Sequence, residues 1–259
     1  GRRPSEGLQS LGQLQHLSVK LDYAPVGDAA VLALGGAIGE LKRLQTLRLC
    51  VKNTAVDDGG AAAVGQGLAS LQNVQDLELN FDKTQVGDTS AVAIGTGLRE
   101  LLGLQTMTLW LRGTEVGDAG VVALCEGCTV LTQLKELTLN FVGTEIGDTA
   151  AAAIGPSLHR LTQLRQVNLL LQRTAVGDDG AKAIAAGFPA LNQLTQLYID
   201  LRQTRVGDAG ALAIGEVLRG LPKLDDITIN FEDSQVSSKT GTSIREMLTK
   251  PNVWADVFA

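Results

Sequence analysis

A short motif, V-G-D, returns every 30 residues along this chain. TEVGDAG (114–120) is matched by TAVDDGG (54–60), TQVGDTS (84–90), TEIGDTA (144–150), TAVGDDG (174–180) and TRVGDAG (204–210). Degenerate copies, APVGDAA (24–30) and SQVSSKT (234–240), stand at either end, and no insertion or deletion breaks the register across the eight copies. One unit of this length cannot bury an apolar face by itself. Repetition in register lets it do so by stacking on its neighbours.

The unit reads L-x-x-L-x-L-x-L-x-x-T-x-V-G-D-x-G-A-x-A-I-G-x-G-L-x-x-L. In the copy at 134–161, Leu137, Leu139 and Phe141 alternate with Thr138, Asn140 and Val142, the period of a strand with one buried face. Beyond the G-D, residues Ala151, Ile154, Gly155, Leu158 and Leu161 fall on one face of a helix. Each repeat is therefore a strand, a tight turn, a helix and a return.

The repetition decides between chemistry and architecture for the aspartate of the motif. A catalytic carboxylate is needed once, whereas a capping residue is needed once per helix. Asp28, Asp58, Asp88, Asp118, Asp148, Asp178 and Asp208 each stand just before a helical pattern and are expected to be its N-caps. Thr54, Thr84, Thr114, Thr144, Thr174 and Thr204, with Ser234, form a second row where the chain turns inward. Their hydroxyls are expected to bond backbone groups of their own and the neighbouring repeat. Gly35, Gly65, Gly95, Gly155 and Gly215 fall on the inner helix face, where each costs roughly 1 kcal/mol of helix propensity against Ala. Close approach of adjacent helices is the expected return.

The strand motif, for example Leu134, Leu137 and Leu139, and the V/I-G-D-x-G-A before each helix resemble the leucine-rich repeats, nearest to the ribonuclease-inhibitor-like class. The resemblance covers residues 8 to about 248. It implies an α/β solenoid, a curved horseshoe with about eight parallel strands on the concave face and helices outside. At ~4.8 Å per strand the sheet is ~35–40 Å wide. Two features depart from the family: Thr stands at the ladder position usually held by Asn or Cys, and an extra apolar pair (Phe81, Leu111, Phe141, Leu171) lengthens the unit. One domain is expected over 1–259. It comprises a partial N-terminal repeat at 1–13 containing Leu8 and Leu11, repeats of 30 residues at 14–236, and a capping helix and tail at 237–259. Ser238 is the expected cap of the last helix and Pro251 its end. Trp254 and Phe258 follow in a tail that either folds over the last repeat or docks a partner.

Outward positions on the concave face can be read from the register. Residues 20, 50, 80 and onward give Lys20, Cys50, Asn80, Trp110, Asn140, Leu170, Asp200 and Asn230. With the rows beginning at Ser18 and Asp22, they carry equal numbers of basic and acidic side chains. Trp110, Val142, Leu170 and Tyr198, one in each of repeats 4 to 7, interrupt this polar face, with Arg112 and Asn140 beside them. Trp, Tyr and Arg are the residues enriched at interface hot spots. These six residues, with Trp254 and Phe258, are the candidate partner contacts.

The remaining composition narrows the function. Hydrophobic residues make up 44% of the 259 residues but aromatics only 3%, so the core is aliphatic. A net charge of −6 and a mixed concave face argue against nucleic acid. No apolar run is long enough to span a membrane. CEGC (125–128) lies mid-helix at core positions, without the further ligands a zinc site needs, so no metal or cofactor is expected. Cys50, on the concave face, is the expected accessible cysteine. Three scattered cysteines make no disulfide framework, which fits the reducing interior of a cell. No nucleophile–base–acid set emerges, and there is no phosphate loop. The expectation is a non-catalytic protein-binding scaffold, a subunit or recognition module without a small-molecule substrate. The alternative is a regulator of a partner enzyme, since the resembled class includes enzyme inhibitors and a GTPase activator. The long acidic tail of such an activator is absent from this sequence.

Overall fold

The computed structural model describes residues 12–249 and 254–259. The features expected at Leu8, Leu11 and Pro251 lie outside the described residues. Five-residue strands β1 (His16–Lys20), β2 (Thr46–Cys50), β3 (Asp76–Asn80), β4 (Thr106–Trp110), β5 (Glu136–Asn140), β6 (Gln166–Leu170), β7 (Gln196–Asp200), β8 (Asp226–Asn230) and β9 (Trp254–Phe258) form one sheet in chain order. All neighbours are parallel. Helices α1 (Asp28–Ile38), α2 (Asp58–Leu68), α3 (Asp88–Leu98), α4 (Asp118–Cys128), α5 (Asp148–Arg160), α6 (Asp178–Ala185), α7 (Asp208–Leu218) and α8 (Ser238–Leu248) alternate with the strands. Pro189 sits in a 3₁₀ turn, Phe188–Ala190, which follows α6.

The register advances by 30 residues at every step from β1 to β8, so Leu47, Leu77, Met107, Leu137, Val167, Leu197 and Ile227 form one buried column. At the last step Asp226 pairs with Trp254, an advance of 28. The sheet thus has nine strands where eight were expected, because the tail adds a strand instead of folding over the last repeat. An Arg245 guanidinium on α8 donates to the Val257 carbonyl of this final strand.

The additional apolar pair lengthens the core but not the strand. Phe81 and Phe141 are buried just past β3 and β5, and the ladder continues through Phe81 N–H to Trp110 O at 2.9 Å. The chain then turns through a left-handed residue, Lys83 in one repeat and Gly113 in the next. Row-22 residues such as Arg112 and Val142 therefore lie in the turn after the strand rather than on it.

The aspartate row needs correction. The N-cap positions are Gly27, Asp57, Gly87, Gly117, Gly147, Gly177 and Gly207. Asp28, Asp58, Asp88, Asp118, Asp148, Asp178 and Asp208 are instead the first helical residues. Each carboxylate reaches across to the next repeat. Asp88 Oδ1 accepts from Gly117 N–H at 2.8 Å and Gly120 N–H at 2.9 Å. Asp58, Asp118, Asp148 and Asp178 bind the next helix in the same two-pronged way. Asp28 reaches Gly60 N–H, and Asp208 accepts from Ser237 N–H at 2.7 Å. The row is a set of caps in trans, satisfying donors at the start of the following helix. Ser237, not Ser238, caps α8, accepting from Thr240 N–H.

The threonine row is also more local than expected. Thr84 Oγ1 donates to Phe81 O at 2.6 Å and Thr114 Oγ1 to Leu111 O at 2.7 Å, and Thr54, Thr144, Thr174 and Thr204 repeat the pattern. These bonds all close the residue's own turn, because a hydroxyl has one proton and the carbonyl three residues back is nearest. Backbone bonds such as Gln85 N–H to Val56 O, 3.0 Å, join the repeats.

Glycines set the helix spacing. A Cβ on Gly65 would lie 2.5 Å from the backbone nitrogen of Ile94, and one on Gly67 would lie 2.5 Å from the carbonyl oxygen of Gly35. The rule changes between α4 and α5. Cys125 takes the first glycine slot and Ser157 the second, and Ser157 Oγ donates to Cys125 O at 2.8 Å.

Candidate functional site on the concave face

Side chains at alternate strand positions point away from the core, but they are not equally free. Asn140 is 4% exposed, and its carboxamide oxygen accepts from Val142 N–H at 3.0 Å. Asn80, Asp200 and Asn230 bind the N–H two residues on in the same manner. Val142 is 7% exposed. Asn140 and Val142 were expected as partner contacts, yet both are folded into the scaffold. The cause is the tight turn, whose amide needs an acceptor where the strand ends.

Trp110 escapes that duty. No acceptor is available on an indole, and Arg112 N–H is taken instead by Asp82 Oδ1 of the preceding repeat at 2.8 Å. Asp22 serves Lys52 N–H in the same way, opposite Cys50. Asp82 is itself buried, and desolvation pushes its carboxyl above the usual carboxylate range against the pull of the Arg112 amide. Thus Trp110 sits between Asn80 and Asn140 in the register, half-exposed, and Leu170 sits likewise between Asn140 and Asp200. Tyr198 is half-exposed and Arg112 exposed.

An unpredicted cluster adjoins them. Asp200 is 1% exposed, and Arg202 clasps its carboxylate through Nε at 3.0 and 3.2 Å and Nη2 at 2.7 Å. The same Nη2 lies 3.5 Å from Gln172 Oε1. Burial, with the Asp200 charge behind it, pushes the Tyr198 phenol up. Counting Asp200 and Arg202 as separate charges hid this pair. Their spacing of two residues, the last residue of β7 and one in the turn that follows, was the available signal.

At the C-terminal end, Trp254 is 69% and Phe258 42% exposed on β9, and Trp254 Nε1 donates to Asp256 Oδ2 at 3.1 Å. They pair in register with Asp226 and Asn230, two strands beyond Tyr198 and three beyond Leu170. The two aromatics are thus apart from the central patch.

The cysteines offer no reactive thiol. Cys50 is 7% exposed, against expectation, because Lys20 and Asn80 flank it in the sheet. Burial pushes the Cys125 thiol up to about 12 and Cys128 higher still. Among the described residues no group of three or more His, Cys, Asp or Glu could hold a metal, and no helix is long and apolar enough to cross a membrane. A concave cleft of about 70 Å³ beside Arg48, Asp76 and Glu78 is far below the ~300 Å³ at which small-molecule sites begin.

The sequential parallel sheet and its packed helices define an α/β solenoid of the leucine-rich-repeat type. An internalin C2 from Listeria monocytogenes has this fold: the two superpose with a TM-score of 0.53 at 22% identity, covering 90% of this chain and 76% of that one. A leiomodin-1 structure described as actin-binding site 2 is more distant, with a TM-score of 0.47, 16% identity, and 62% and 86% coverage. No family model and no curated protein matches the chain.

Proposed function

We propose that the protein is a non-catalytic interaction scaffold, a subunit or recognition module of a larger assembly, which holds a protein partner on the concave face of repeats 4 to 7. The carrying observation is that Trp110, Leu170 and Tyr198 remain accessible while their neighbours Asn140, Val142 and Asp200 are consumed by the scaffold. Rigid aromatics on an ordered sheet lose little freedom on binding, and Arg112 and Arg202 add charged donors at their margin. The repeat pattern supports the ribonuclease-inhibitor-like class, and unbroken stacking among the described residues supports the reading of 1–259 as one domain. Three free, buried thiols accord with a reducing intracellular compartment.

The test is affinity capture from the native source, with the wild type beside a Trp110→Ala/Leu170→Ala double variant. Loss of specific proteins from the variant, with unchanged melting, supports the concave site. Identical captured proteins would refute it.

A further inference from the structure

Folding unbalances the charges of the concave face. Of its acids, Asp82 is 6% and Asp200 1% exposed; Asp82 accepts from Arg112 N–H and Asp200 from the Arg202 guanidinium. The basic side chains stay outside. The second and third residues after each of β2 to β7 form a rim along the ends of these strands. The accessible charges on this rim are Lys52, Lys83, Arg112, Arg173 and Arg202, all basic. Lys52 lies over the Tyr23 ring, 5.8 Å from its centroid. Even with the two buried carboxylates counted, five basic groups stand against two acidic ones, in a chain of net charge −6. Other acids surround the rim without entering it. Asp22 precedes it in the first repeat, and Glu232 and Asp233 follow it in the last. Glu115 and Glu145, with Arg205, lie beyond the threonines that close their turns. Asp76 and Glu136 stand at the opposite ends of β3 and β5, and Glu78 faces Arg48 at 3.7 Å.

We infer that the partner is an acidic, apolar protein segment laid across β3 to β7, its carboxylates on Lys83, Arg112, Arg173 and Arg202. The inference rests on the reading of the concave face as a protein-binding site and adds the chemistry of the partner. The basic groups stand beside the apolar ones. Arg112 is two residues beyond Trp110, Arg173 three beyond Leu170 and Arg202 four beyond Tyr198. Opposite charges matched in this way favour one partner chemistry and repel the other. A carboxylate on the rim meets donors, because the carboxylates of Asp82 and Asp200 are turned inward and occupied. Arg202 is also held in place. Its Nε and Nη2 bind Asp200, and its Nη1 has no partner among the described residues. Adjacent strands stand ~4.8 Å apart, so the four steps from β3 to β7 measure ~19 Å, the reach of about six extended residues. A polypeptide suits this rim better than nucleic acid does. Phosphates recur without a break and would meet Glu115, Glu145 and Glu232, whereas a polypeptide can set neutral residues there.

Selection from a random peptide library displayed on phage, against the immobilised full chain, tests this. The recovered peptides are expected to be enriched in Asp and Glu beside Leu, Ile or Phe. The triple variant Lys83→Gln/Arg112→Gln/Arg173→Gln should weaken their binding at least ~10-fold with an unchanged circular dichroism spectrum. The charge-keeping variant Lys83→Arg/Arg112→Lys/Arg173→Lys should retain most of the affinity, which separates loss of charge from misfolding. Arg202 is left in place because the buried Asp200 depends on it. Peptides without acidic enrichment, no recovered peptide, or binding unchanged in the glutamine variant overturn the inference. If Trp110→Ala/Leu170→Ala still abolishes binding of such peptides, the concave site itself stands. Acidic peptides that bind the Trp110→Ala/Leu170→Ala variant as tightly as the wild type refute both. An oligothymidylate that displaces the peptides at ~0.15 M salt, and fails to bind the glutamine variant, overturns the inference in favour of nucleic acid.

Discussion

Asp88 holds Gly120 across the gap between two helices: its Oδ1 lies 2.9 Å from the amide nitrogen of a residue 32 positions later. A Cβ on Gly120 would lie 2.5 Å from that same oxygen. The aspartate and the glycine of the G-D-x-G motif therefore serve each other, but in successive repeats. Where a side chain occupies the glycine slot the bond is longer, 3.1 Å at Ser90 and 3.2 Å at Ala150.

Asp88→Ala should cost about 1–2 kcal/mol, the usual loss for a capping acceptor with two donors. Loss of protection should appear at Gly117 and Gly120, in the repeat that follows, in amide hydrogen exchange. Exposure confined to the first turn of α3 would instead mean that Asp88 caps its own helix.

Two glycine substitutions should have opposite signs. Gly36→Ala meets no atom within 4 Å and should stabilise by roughly 0.5–1 kcal/mol through helix propensity. Gly65→Ala drives its Cβ into the backbone of α3 at 2.5 Å. It should destabilise by ~2 kcal/mol or more, as overpacking does. Urea unfolding of the two variants measures both, and equal signs would refute glycine-set helix spacing.

Removing Arg202 alone should cost more than removing Trp110. Arg202→Leu leaves the Asp200 carboxylate buried without its clasp, at ~2–3 kcal/mol, and the double variant Asp200→Leu/Arg202→Leu should recover most of that loss. Trp110→Ala should stay within ~1 kcal/mol, since the Arg112 amide it leaves exposed is already held by Asp82. A double-mutant cycle in denaturant gives the coupling. A large Trp110→Ala loss would place that ring in the core.

Acid should weaken the stack through Asp58. Its carboxyl is held below the ordinary carboxylate range by the Ser90 and Gly87 donors, which outweigh desolvation, the largest single influence on it. A depressed folded pKa contributes stability above the unfolded value of ~3.9, and that stability is lost as pH falls through the folded value. Asp82, raised by burial, acts in the opposite sense: its contribution falls as pH rises above the unfolded value. Asp58→Asn should therefore flatten the fall in stability below about pH 4, measured by thermal melts across pH. An unchanged slope would show that Asp58 gains nothing from its donors.

Periodicity alone determined the architecture. Alternation at Leu137, Leu139 and Phe141 and the helical spacing of Ala151, Ile154 and Leu158 are local signals, and eight repetitions of them leave stacking as the only way to bury the rows. It also separated scaffold from candidate site, because anything recurring every 30 residues belongs to the fold. What only the tertiary structure decided are the contacts between repeats. Whether Asp88 caps α3 or α4 depends on how far one helix is displaced along its neighbour, and the sequence around Asp88 reads the same for both. Burial of Asn140, Val142 and Asp200 follows from turn amides that need acceptors in space. Trp254–Phe258 became a ninth strand because the open edge of β8 offered unpaired backbone groups, a vacancy that exists only once the preceding repeats have stacked.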